Sequence, residues 1–150
     1  MRLLLPLAGV AALSGSSGAA QAQVVIDEIR AQLFLEHSGR LSENIVGTDR
    51  GFFNVVIGGS IDEPASSVLV TLAFSALRKS SSPARVTVRQ KTKAGERLLF
   101  RRDYAGFLLG EDGRAYKTFL LENATCLPLV ISVRAGRSSK TATLNFHCGE

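Results

Sequence analysis

The 150-residue chain carries a formal net charge of +5 and only two cysteines. That length fits one domain able to bury a core without metal staples, and after residue 22 no segment is long and apolar enough to span a bilayer. The basic balance admits anionic partners such as lipid headgroups, acidic polysaccharide or nucleic acid, but it serves solubility equally well and selects none of them.

Arg2 forms a short positive start, and Leu3 to Leu13 is an unbroken run of Leu, Ala, Val, Gly and one Pro. Ser14 to Gly18 is small and polar, and Ala20-Gln21-Ala22 has the small-x-small pattern read by signal peptidase. Residues 1–22 therefore read as a cleaved signal peptide, with a mature domain from Gln23 to Glu150 that is secreted or periplasmic. The apolar run is too short for a membrane anchor, and no cysteine adjoins the cleavage site to carry a lipid.

From Val24 onward the apolar residues alternate in short stretches between turn signals, with no convincing 3.6-residue period. Ile29, Ala31, Leu33 and Leu35 alternate with Arg30, Gln32, Phe34 and Glu36, predicting a first strand over 24–37. A loop from Ser38 to Gly51 leads to a short apolar strand, Phe52 to Ile57. Val68, Val70, Leu72 and Phe74 define one apolar face of the next strand. After Ser80-Ser81-Ser82-Pro83, a strand bearing Val86 and Val88 turns at Ala94-Gly95-Glu96 and returns through Leu98 and Phe100. Tyr104 to Leu109 is a further extended stretch, ended by the turn residues Gly110 to Gly113. Tyr116 to Leu121, Leu127 to Arg134 and Thr141 to Cys148 complete the set, the last two flanking a hairpin loop at Ala135 to Ser139. The expectation is an all-β domain, a single antiparallel β-sandwich of immunoglobulin-like or C2-like kind with seven or eight strands.

Cys126 and Cys148, an even pair in an oxidising compartment, read as one structural disulfide. It would close a loop of about 23 residues and contribute roughly 3 kcal/mol in the chain-entropy treatment. The final hairpin contains a conflict. If Cys126 sits opposite Cys148, then Leu129, Ile131 and Val133 face away from Ala142, Leu144 and Phe146, although both sets look like core. A register shift near Pro128, a hairpin covered on both faces, or a bond between strands that are not neighbours would each resolve it.

The most informative cluster is basic: nine of the 17 Lys and Arg residues beyond the signal lie between Arg78 and Arg102. On the strand after Pro83, Arg85, Arg89, Lys91 and Lys93 share one parity while Val86 and Val88 share the other. Closing the hairpin through Ala94 to Glu96 pairs Lys93 with Arg97, Lys91 with Leu99 and Arg89 with Arg101, and sends Leu98 and Phe100 below with the valines. The result is a cationic stripe of Arg85, Arg89, Lys91, Lys93, Arg97 and Arg101 without neutralising carboxylates, suited to phosphate, sulfate or uronate groups. The same charges also protect a sheet from edge-to-edge pairing, and a solvated face is the competing explanation. Aromatic residues are not interleaved for base stacking, which disfavours nucleic acid.

Catalytic patterns are missing: Gly-x-Ser-x-Gly, His-Glu-x-x-His and P-loop sequences do not occur, and His37 and His147 lie in no motif. No cofactor is implied. A zinc site from His37, Cys126, His147 and Cys148 fails because adjacent strand residues point to opposite faces. Loop acids Asp62 and Glu63, or Glu111 and Asp112, lack the spaced pattern of a calcium loop and read as turn chemistry. Asn123-Ala124-Thr125 matches a glycosylation acceptor, meaningful only in a host that glycosylates such sites. The expected function is that of an exported, non-enzymatic binding or interaction module whose partner is a protein or an anionic envelope component. A polyanion-binding protein and a small secreted hydrolase are the alternatives, and Phe34 and Leu99 are candidate contact residues.

Overall fold

The computed structural model describes residues 24–48, 63–76, 83–106, 108–122, 124 and 127–146. The expected signal peptide, the strand over 52–57, the acid Asp62, the residue Asn123, both cysteines and His147 lie outside the described residues.

Among the described residues the fold is all-β, with seven strands and no helix. The strands are β1 (Val25–Phe34), β2 (Ser67–Ser75), β3 (Ala84–Thr92), β4 (Gly95–Tyr104), β5 (Arg114–Leu121), β6 (Leu129–Ala135) and β7 (Ser138–Leu144). Every pairing is antiparallel, and the strands form two sheets in the orders β1-β2-β5 and β4-β3-β6-β7. Both sheets contribute to one apolar core, a sandwich-like arrangement.

The cleanest strand is β2, where Val68, Val70, Leu72 and Phe74 are fully buried, as their alternation predicts. They face Leu121, Phe119, Lys117 and Ala115 of β5 in direct register. On the other side Ile26, Ile29, Ala31 and Leu33 of β1 face Phe74, Leu72, Val70 and Val68. Those β1 residues do not share one parity. A bulge at Asp27 inserts one extra residue, so that Val24 and Ile26 point inward before it and Ile29 and Ala31 after it. In the other sheet, Ala84, Val86 and Val88 of β3 meet Ala135, Val133 and Ile131 of β6, and Ile131 and Leu129 in turn meet Ala142 and Leu144 of β7. All of these are buried.

The β6–β7 register shows which face each apolar set of the final hairpin takes. Leu129 pairs with Leu144 and Ile131 with Ala142, so both apolar sets share the inner face. The turn is also tighter than the sequence suggests: only Gly136 and Arg137 lie between the paired residues Ala135 and Ser138, and Gly136 takes a φ of 57°.

The two lateral margins of the fold differ. At the first, β1 runs beside β7 and the segment after it folds back along its edge. The Ile26 N–H donates to Ser138 Oγ at 3.2 Å, and Lys140 Nζ donates to the Asp27 carbonyl. Further along, the Ala31 N–H donates to Asn44 Oδ1 at 3.0 Å and the Leu33 N–H to Ser42 Oγ at 2.9 Å, while the Ile45 N–H donates to the Ala31 carbonyl and Ile45 enters the core. Side-chain acceptors thus complete the β1 edge where, among the described residues, no strand pairs with it.

At the opposite margin, β4 and β5 are bridged by side chains. Phe100 stacks on Phe119, and Arg102 and Lys117 both lie over the Tyr104 ring, at 5.9 and 5.7 Å from its centroid. Arg97, Arg102 and Lys117 all occupy inward-facing positions here, opposite Gln90, Val86 and Leu72. Cations in such positions are a recognised device against edge pairing.

Candidate functional site

The basic hairpin forms, but in a different register from the one its sequence suggests. The paired residues Thr92 and Gly95 enclose only Lys93 and Ala94, Gly95 itself lies at the start of β4 with a φ of 123°, and Leu99 is an extra residue bulged out of β4. The pairs are therefore Lys91 with Glu96, Gln90 with Arg97, Arg89 with Leu98, Thr87 with Arg101 and Arg85 with Asp103. Three expectations change. Arg97 leaves the basic face and donates from Nη2 to Oε1 of the buried Gln90 at 3.0 Å. Leu98 joins the outer face, where it is 51% exposed, while Phe100 alone joins the valines. Lys93 is a turn residue. Tyr104 to Leu109 is also not a separate strand, because β4 continues to Tyr104 and ends there.

The outer face of the four-stranded sheet can be built row by row from β4 to β7. The first row is Asp103, Arg85, Arg134 and Ser139, the second Arg101, Thr87, Ser132 and Thr141, and the third Leu98, Arg89, Val130 and Thr143. Glu96 and Lys91 stand beyond them. Arg85, Thr87, Arg89, Leu98, Arg101, Asp103, Ser132 and Arg134 line one shallow depression of about 810 Å³, with Tyr104 at its rim. Five cations, Arg85, Arg89, Lys91, Arg101 and Arg134, thus share the face with two carboxylates.

Those carboxylates correct the expectation of an unneutralised stripe. Asp103 Oδ1 accepts from Arg85 Nε at 2.5 Å, and Oδ2 accepts from Arg85 Nη2 and from Arg101 Nη2, both at 3.4 Å. Glu96 lies 3.9 Å from Arg89 Nε, a looser pair. The hydrogen bond from Arg85, working against a smaller desolvation effect, holds the Asp103 carboxyl below its usual range, and the same bond pushes the Arg85 guanidinium up. Lys91, Lys93 and Arg134 have no ion-pair partner among the described residues.

Arg134 is the site residue that the basic run did not reveal. It stands directly opposite Arg85 across the β3–β6 pair, although 49 positions separate them in the chain. Its outward direction is legible from Leu129, Ile131 and Val133 facing inward. Its place beside Arg85 depends on the strand order.

The other candidate residues do not gather into a centre. Glu63 accepts the Ser38 N–H beside exposed His37; desolvation raises its carboxyl, but the Ser38 and His37 hydrogen bonds together hold it below the usual range. Asp112 Oδ1 accepts the Arg114 N–H at 3.1 Å within the turn that Gly110 and Gly113 close. Among the described residues no group of three or more His, Cys, Asp or Glu is placed to hold a metal ion. Compared with known proteins, the chain matches no protein-family model and no curated sequence at significant similarity.

Proposed function

We propose that this is a non-catalytic binding module of immunoglobulin-like sandwich type that works outside the cytosol, and that its basic sheet face receives an acidic polysaccharide. The observation that carries the reading is the juxtaposition of Arg85, Arg89, Arg101 and Arg134 around Thr87 and Ser132 on one open surface. Guanidinium forks suit carboxylate and sulfate oxygens, and each can engage two of them at once. The hydroxyl rows continue outward through Thr141, Thr143 and Ser139, with Ser132 and Thr141 3.4 Å apart, and they offer partners for sugar hydroxyls. Bases have little to stack on: among the described residues, Tyr104 is the one aromatic residue lining the depression. The extracellular or periplasmic location rests on the signal-like pattern of residues 1–22.

The test is titration of the domain from Gln23 to Glu150 with a sulfated oligosaccharide and an oligouronate, at low and near-physiological salt. Saturable binding that persists at physiological salt and is lost in Arg85→Gln/Arg101→Gln supports the reading. Weak binding to every anion that vanishes with salt reduces the face to a solvated surface. Preference for polyglutamate or single-stranded DNA over both glycans overturns the polysaccharide assignment.

A further inference from the structure

Within the arginine cluster, Asp103 occupies the position that an incoming anion would take. Its two oxygens receive the Nε and Nη2 donors of Arg85 and one donor from Arg101, which is the contact set a ligand carboxylate or sulfate would seek. The Asp103 side chain is 52% exposed and pairs with side chains equally open to water, so its release meets little resistance. On the far side of Arg85 the arrangement is unbalanced. Arg85 and Arg134 face each other directly across adjacent strands, an unfavourable juxtaposition of like charges, and Asp103 offsets it only from the β4 side. An anion seated over Arg85 and Arg134 would neutralise both.

We propose that Asp103 is an internal competitor for this seat: an oxyanion group of the glycan first meets Arg134, then displaces the Asp103 carboxylate from Arg85 and Arg101. The inference rests on the polysaccharide reading and deepens it by assigning the seat and the residue that regulates access to it. Ligand affinity is then set partly by how firmly Asp103 holds its arginines. Removing the carboxylate should tighten binding, although the arginines contact nothing new.

The experiment compares wild type, Asp103→Asn, Glu96→Gln, Arg134→Gln and Arg114→Gln by calorimetric titration with the same sulfated oligosaccharide and the same oligouronate. Glu96→Gln removes one negative charge from the same face, where Glu96 pairs only loosely with Arg89 at 3.9 Å and bonds neither Arg85 nor Arg101, and Arg114→Gln removes one positive charge from β5 on the other sheet. Asp103→Asn is expected to bind roughly three- to tenfold tighter, with Glu96→Gln changing affinity less than about twofold. Arg134→Gln should lose at least about tenfold while Arg114→Gln stays near wild type. Equal tightening in Asp103→Asn and Glu96→Gln would overturn the competitor role, because a general charge effect explains it. Equal loss in Arg134→Gln and Arg114→Gln would overturn the role of Arg134. A wild type that binds while Asp103→Asn binds no better defeats this inference alone, whereas absence of binding by both defeats the polysaccharide reading with it. Comparing the two ligands identifies the oxyanion as sulfate or carboxylate.

Discussion

Phe100 of β4 lies flat on Phe119 of β5, with ring centroids 4.5 Å apart and planes inclined by 8°. The two strands belong to different sheets and share no backbone pairing, so this stack ties the sheets together along that margin. Phe119 is buried and Phe100 only partly so. Phe119→Ala should therefore destabilise the fold by about 3 to 4 kcal/mol and Phe100→Ala by less. Denaturant unfolding of both single variants and the double should return a coupling of about 0.5 to 1.5 kcal/mol; additive effects would mean that the rings merely fill space.

The Arg85 to Asp103 bond predicts a dependence on acid. Because the folded-state carboxyl is held below its ordinary value, the pair contributes stability above the unfolded pKa of about 3.9 and loses it as pH falls further through the lower folded value. Asp103→Asn should flatten that part of the stability profile. An NMR titration of the Asp103 side chain should show a midpoint below about 3.9, and a midpoint at or above it would contradict the observed pairing.

Asn44 serves the β1 edge with a side-chain acceptor, taking the N–H groups of Ala31 and Val46 at 3.0 and 3.2 Å. Asn44→Ala leaves both donors without this acceptor and should cost about 1 to 3 kcal/mol. Hydrogen exchange at Ala31 and Val46 should accelerate more than at Leu72, which lies inside the same sheet.

Gly113 and Gly47 separate two causes of intolerance to a side chain. Both have positive φ, 72° and 74°, but a Cβ on Gly113 would meet the Ala76 carbonyl oxygen at 2.8 Å, whereas a Cβ on Gly47 meets nothing within 4 Å. Gly47→Ala should cost about 1 kcal/mol from backbone strain alone, and Gly113→Ala clearly more. Thermal unfolding of the two variants checks the order. The Gly113 carbonyl also accepts the Ala76 N–H at 3.0 Å, so displacement there disturbs a second contact.

What the sequence discloses follows from where each strand lies. β2 sits between two partners with its apolar face on the core, and its four alternating large side chains declare it without ambiguity. β1 obeys the same rule in two halves, but the bulge at Asp27 breaks the period and hides the first half. β4 is the hardest to read, because all its residues are exposed except Phe100 and Tyr104 and no alternation marks its inner face. Its register then depends on whether Gly95 belongs to the turn or to the strand, and pairing Lys91 with Leu99 in place of Glu96, a shift of three residues, puts Arg97 and Leu98 on the wrong faces. Most of the basic site is local in the chain and was visible, whereas Arg134 and the neutralising role of Asp103 depend on pairings that a run of charges does not encode.

The bulge at Asp27 also makes β1 unequal in its tolerance of length changes. Deleting Asp27 would bring Ile26 and Ile29 into ordinary two-residue spacing, leaving every core side chain of the strand pointing inward. Loss of Arg30, only three positions on, would instead reverse one half of the strand relative to the other and drive Ile29 or Ala31 into solvent. Asp27 is thus the point in β1 at which a one-codon deletion can be absorbed. The cost would be confined to the local twist, the Lys140 contact to the Asp27 carbonyl and the 2.8 Å bond that Ser75 Oγ donates to Asp27 Oδ1.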